Sequence, residues 1–238
     1  MYKSDSEDNA SPVQIMEQNE IIEEKQEQRV SSGFDRGLKF EKIKKKLIKN
    51  YKKIINTIRN LNPEDKHYVS KRRMNILRLI YNMIAMIQFR NGSRISEGVD
   101  AFIKFINEDN YDDKILVKIA KSKAQKQKKD GKKFITKERY RKMIFPMTWI
   151  KKIKFLKYIK KYLKVIPHER LEKRVLDFLR TYFNCNTHSL RYAFINYMLY
   201  DKKKEMPLVA KFVGHSSVAQ LVRYTQNIEA DKIFNEDI

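Results

Sequence analysis

The stretch Met74 to Phe89 constrains the fold more than any other. Ile76, Leu77, Leu79, Ile80, Met83, Ile84, Met86 and Ile87 spread over a wide face, and a helix apolar over so much of its circumference reads as a core helix. Asn91-Gly92 stops it, and Ser93 is placed to cap the helix that follows. Arg94 therefore falls at a helix beginning, where backbone N–H groups also favour an anion. Upstream, Leu38, Ile43, Leu47, Tyr51, Ile54, Ile55, Ile58 and Leu61 recur at helical spacing, opposite a face of lysines, until Asn62-Pro63 ends the run. Downstream, Trp149–Leu163 and Glu169–Phe183 are two more helical segments, broken at Pro167. Between these the period changes. Phe102–Ile106 and Lys114–Ala120 read as short strands, with Phe134–Thr136 as a return strand. The expected fold is mainly α with a small antiparallel β-sheet, an α+β chain.

The stretch from His188 to Tyr224 carries much of the candidate chemistry. His188 and Arg191 are three apart, so on a helix they share a face and can address one target. Phe194, Ile195, Met198 and Leu199 give the same helix a buried side. Pro207 suits a first helical position and Gly214 a C-terminal cap. His215 follows at once, Ser216 or Ser217 can cap a third helix, and Tyr224 comes about two turns later.

The order H-x-L-R, V-G-H-S-S, R-Y-T resembles the C-terminal signature of the tyrosine recombinases, the phage-integrase and Xer-type family. That family also has an upstream arginine in a G-x-R-x-S-E context, matched here by Gly92-Ser93-Arg94-Ile95-Ser96-Glu97. The resemblance covers roughly residues 67 to 226. It implies the λ-integrase type of catalytic fold and cleavage of DNA through a 3′-phosphotyrosine, with no cofactor or metal. It implies Tyr224 as nucleophile, Arg94 and Arg191 as the phosphate clamp, and His188 as acceptor or relay of the phenol proton. His215 is then a donor to a phosphate oxygen, and a hairpin lysine protonates the leaving 5′-oxygen. That lysine is Lys123 or, as second choice, Lys121, because seven lysines between Lys121 and Lys133 do not fix the register. Tyr192 stands where the family often has histidine. A homotetramer on double-stranded DNA is also implied by the family. A decayed integrase that only binds DNA, or a type IB topoisomerase-like relaxing enzyme, shares many of these features.

Charge agrees with a nucleic-acid partner. The net charge is +23 with 52 Lys and Arg, yet residues 1–30 are net −5, so the excess of cations lies in the remainder. Lys45, Lys49 and Lys52 on the first amphipathic helix, and Lys126, Lys128 and Lys129 in the lysine-rich loop, are the candidate phosphate contacts. Such contacts position without specifying, and they make binding fall steeply with salt. The expected organisation is an acidic arm over 1–33, a reduced helical DNA-binding segment over 34–66, the catalytic domain over 67–226 and a tail over 227–238. The single cysteine, Cys185, excludes an internal disulfide and reads as a small buried residue. No apolar run reaches the ~18 residues of a membrane span. The acidic N-terminus is unlike a secretory signal. The expected setting is cytoplasmic, nucleoid-associated or the host cell interior if viral. His67 and His168 show no partner signature.

Overall fold

Residues 68–91 form the helix around which the others pack. The computed structural model of the protein describes residues 38–107, 114–119, 139–145, 155–222, 224 and 225. In it the helices are α1 (Phe40–Arg59), α2 (Tyr68–Asn91), α3 (Ile95–Asn107), α4 (Leu156–Val165), α5 (His168–Phe183), α6 (Thr187–Asn196) and α7 (Met206–Val213). Residues 219–222, 224 and 225 are helical as well. Two strands, β1 (Lys114–Lys118) and β2 (Tyr140–Ile144), pair antiparallel with Leu116 opposite Lys142. The mainly helical α+β expectation holds.

The second half of α2 is closed on nearly every side, with every residue from Leu79 to Phe89 buried. It meets α1, α3, α5 and α6, which is how an almost wholly apolar helix is satisfied in water. The helix α1 covers it with Ile43, Leu47, Ile54 and Ile58, all buried, and belongs to the same core. Its lysines, Lys45, Lys49 and Lys52 among them, lie exposed on the opposite side. Phe40 at its start stacks between Phe89 and Tyr197, with ring centroids 4.3 and 3.9 Å away.

Three local expectations change. Phe102–Ile106 is not a strand but the second half of α3. Val99, Phe102, Phe105 and Ile106, three or four apart, fill one buried face, so the helical period governs. The partner of β1 is Tyr140–Ile144; residues 134–136 lie outside the described residues. Ser93 is not the cap of α3. Arg94 takes that place, its carbonyl accepting from Gly98 N at 3.1 Å, and Ser93 is buried one residue earlier. His168 also gains partners that the sequence does not suggest. It bridges α5 to α3 through Asp100 at 2.9 Å, while Glu172 lies 3.1 Å from its other ring nitrogen. Cys185 is buried as expected.

The turn between α2 and α3 depends on Gly92, whose φ is 52°. A β-carbon there would fall inside the van der Waals surface of the Phe194 ring. Gly92→Ala therefore combines a left-handed strain with an overpacked contact, on the order of 3 kcal/mol together. The expected result is a melting temperature lower by about 6–12 °C, read by thermal denaturation; an unchanged melt would remove Gly92 from the list of structural requirements.

Candidate active site

Four chain segments meet at the end of α2. Gln88, buried on α2, donates through Nε2 to Ser93 O at 3.2 Å and to Thr187 O at 2.8 Å. It thus ties the turn that carries Arg94 to the start of α6. Asn91 receives Ile144 N on its Oδ1 at 2.8 Å and returns a bond from Nδ2 to Ile144 O at 3.0 Å, so β2 is attached to the same point. Asn186 caps α6 by accepting from Ser189 N at 2.8 Å. At the far end of α6 the chain widens into a π-helical turn, Tyr197–Asp201. The helix α7 stops at Gly214, whose φ is 77°, and delivers His215.

Arg191 lies at the centre, 1% exposed. Its Nη1 donates to Gly92 O at 2.5 Å and its Nη2 to Val213 O at 3.1 Å. Nη2 also lies 2.8 Å from His215 Nε2, and Nε donates to the Tyr224 hydroxyl at 3.3 Å. A guanidinium carries five N–H bonds, so four are committed. Burial lowers the Arg191 pKa, opposed by Tyr224. Three of the residues singled out in sequence, Arg191, His215 and Tyr224, thus touch each other. The Tyr224 ring also sits 4.3 Å from that of Tyr192 and edge-on to His215 at 5.6 Å.

The His215 tautomer follows from its neighbours. Nδ1 lies 2.6 Å from Gln220 Oε1, which can only accept. The proton is therefore on Nδ1, and Nε2 accepts from Arg191. Burial, with the Arg191 and Arg94 cations adding to it, pushes the imidazole down to about 4. His215 is neutral at neutral pH.

Arg94 joins through a carboxylate. Its Nη1 is 3.2 Å from Glu97 Oε1, and its backbone N–H lies 3.3 Å from Oε2. Glu97 is fully buried and also pairs with Arg141 Nη2 at 3.2 Å. The i, i+3 pairing that could have made Arg94 a plain surface arginine is present, but it is turned inward. Arg94 keeps a 21% exposed side chain and acts electrostatically on Arg191. His188 differs from Arg191: it is exposed in the first turn of α6, while Arg191 three residues on is buried. Lys121, Lys123, Lys126, Lys128 and Lys129 lie outside the described residues. Both ends of their segment are described, however. Ile119 N bonds Arg139 O at 2.8 Å, and these two residues line an open cleft of about 450 Å³ together with Lys211, His215 and Ser216.

Arg141, Glu97 and Gln220 are not marked as functional by sequence reasoning. Glu97 is visible there only as a motif letter and Arg141 only as one cation among many. Gln220 has the one detectable signal, lying five residues after His215 and one turn before Tyr224. Among the described residues no group of three or more His, Cys, Asp or Glu is arranged to hold a metal ion, and no helix is long and apolar enough to cross a membrane.

No family model matches the chain. The protein named "Putative integrase V10" of Sputnik virophage is 44% identical over 217 residues, spanning 88% of this chain and 92% of its own. "Putative integrase ORF241" of Acidianus two-tailed virus is 28% identical over 202 residues, 85% of this chain and 68% of its own. An uncharacterized protein of Methanocaldococcus jannaschii is 30% identical over 173 residues, 66% of this chain and 72% of its own.

Proposed function

The chain belongs to the same integrase family as the Sputnik virophage protein, and we propose that it is a tyrosine-type site-specific recombinase that cuts and rejoins double-stranded DNA. The observation that supports this reading best is the contact of Tyr224 Oη with Arg191, itself bonded to His215. A phenol is a weak nucleophile near its ordinary pKa of ~10 and needs a partner for its proton and an activated target. A guanidinium supplies a planar, permanently charged fork for phosphate oxygens.

In the proposed step Tyr224 Oη attacks the scissile phosphorus and its proton passes to His188. The bond from phosphorus to the 5′-oxygen breaks, and Lys123 or Lys121 gives that oxygen its proton. The products are a 3′-phosphotyrosine and a 5′-hydroxyl. Attack by a 5′-hydroxyl from another strand reverses the step and rejoins DNA. Arg94 and Arg191 neutralise the charge that grows on the non-bridging oxygens. His215 begins neutral with Nε2 as acceptor. The phosphate's negative charge raises the proton affinity of the imidazole, which takes a proton from water at Nε2 and donates it in a hydrogen bond to a phosphate oxygen. The exposed lysines of α1, Lys45, Lys49 and Lys52, together with Lys126, Lys128 and Lys129, contact the backbone on either side. Four such subunits assemble on two duplexes. In this reading residues 67–226 form the catalytic unit, preceded by the short helical segment 34–66, with the arm 1–33 and tail 227–238 outside it, and the protein acts in the cytoplasm or nucleoid of its cell, or in the host cell interior if it is viral.

The test is to trap the intermediate. A nicked duplex that loses the short fragment bearing the 5′-hydroxyl after cleavage prevents religation. The expected product is a denaturant-stable protein–DNA adduct whose tryptic peptide carries a nucleotide on Tyr224. An adduct on another residue, or none on the DNA that the protein binds specifically, overturns the assignment and favours a protein that only binds.

A further inference from the structure

Resting on the reading above, we propose that Arg141 is the positioning residue that holds the phosphate clamp together. It sits in β2 and is buried. Its Nη1 donates to Phe212 O at 2.6 Å and lies 3.4 Å from Asn91 O, which Nη2 also approaches at 3.3 Å. Nη2 is paired with Glu97, the carboxylate that also holds Arg94. One side chain thus fixes the end of α2, the start of α3 and the end of α7. Those are the three backbone segments that present Gly92 O, Arg94 and His215.

Its stem has a second task. A β-carbon on Gly214 would stand 3.4 Å from Arg141 Cδ, so the turn before His215 rests directly on the Arg141 side chain. The guanidinium itself is turned inward, and among the described residues its Nε has no partner. Burial pushes its pKa down to about 10 against the attraction of Glu97, so at neutral pH it is charged. A buried cation beside Arg94 and Arg191 repels them, and Glu97 is the counter-charge that lets all three coexist. Arg141 acts through Glu97 and the two turns, not on the phosphate.

Lysine in its place keeps the charge and most of the stem. It is a point charge, however, and cannot reach Asn91 O, Phe212 O and Glu97 together. The test compares wild type with Arg141→Lys, and with Arg141→Met as the variant that also removes the charge. Adduct formation on the nicked duplex is followed in single turnover at saturating DNA. The His215 imidazole is titrated by NMR, assigned with His215→Gln. For folded Arg141→Lys the expected rate at saturation is about 100-fold lower, the scale of a misplaced reacting group, with DNA affinity unchanged. The His215 midpoint is expected to rise from about 4 toward the ordinary ~6.5, because a loosened turn rehydrates the ring. A folded variant with wild-type rate and an unmoved midpoint overturns the proposal, as does a loss confined to DNA affinity or melting temperature. If wild type forms no adduct, the recombinase reading fails, and the His215 midpoint alone decides whether Arg141 positions the site.

Discussion

Tyr224→Phe is expected to abolish the covalent protein–DNA adduct while leaving DNA affinity unchanged. The substitution removes one oxygen and keeps the ring, so the packing on Tyr192 and His215 is retained. What disappears is the atom that would bond to phosphorus and the acceptor for Arg191 Nε. Losing a covalent nucleophile typically costs roughly 10⁴-fold or more in rate, which for a bond-forming tyrosine means the background. Gel shift and denaturing gel on the same nicked duplex separate binding from cleavage. An adduct that persists in Tyr224→Phe would mean that another hydroxyl attacks, and Tyr192, the aromatic neighbour, would be the next to replace.

Arg191→Ala is the second large effect, and it strikes twice. Cleavage is expected to fall by about 100- to 1000-fold, the usual result of deleting a preorganised transition-state donor. Stability is expected to fall as well, because Gly92 O and Val213 O lose a buried donor and an unsatisfied buried group costs about 1–3 kcal/mol. Single-turnover cleavage and thermal melting measure the two separately. Undiminished cleavage by a folded Arg191→Ala protein would exclude this guanidinium from the reaction.

The helices are legible in the sequence where their stripe is long and their stops strong. Asn62-Pro63, Gly92, Pro167 and Gly214 all mark boundaries within a few residues of those observed. Residues 102–106 mislead because apolar and aromatic residues in so short a window fit either period, and the residues that decide, Val99 and Ala101, lie just before it. The described return strand, Tyr140–Ile144, escapes sequence reading because it alternates Arg141 and Met143 inward, and a buried arginine breaks the apolar code. In the site, the motifs single out Arg191, His215 and Tyr224, which do meet, whereas His188, three residues before Arg191, is exposed. They could not identify Arg141 or Gln220, whose importance comes from neighbours 44 to 71 positions away in the case of Arg141 and from a ring tautomer in the case of Gln220.

The four bonds already made by Arg191 have a consequence for timing. A guanidinium with one N–H to spare among the described residues cannot grip an incoming anion with two bonds without letting go of a present partner, the phenol or the imidazole among them. Arrival of the strand and liberation of the attacking group would then be a single exchange of partners, and an idle molecule would keep its reactive oxygen tethered until a phosphate is there to receive it.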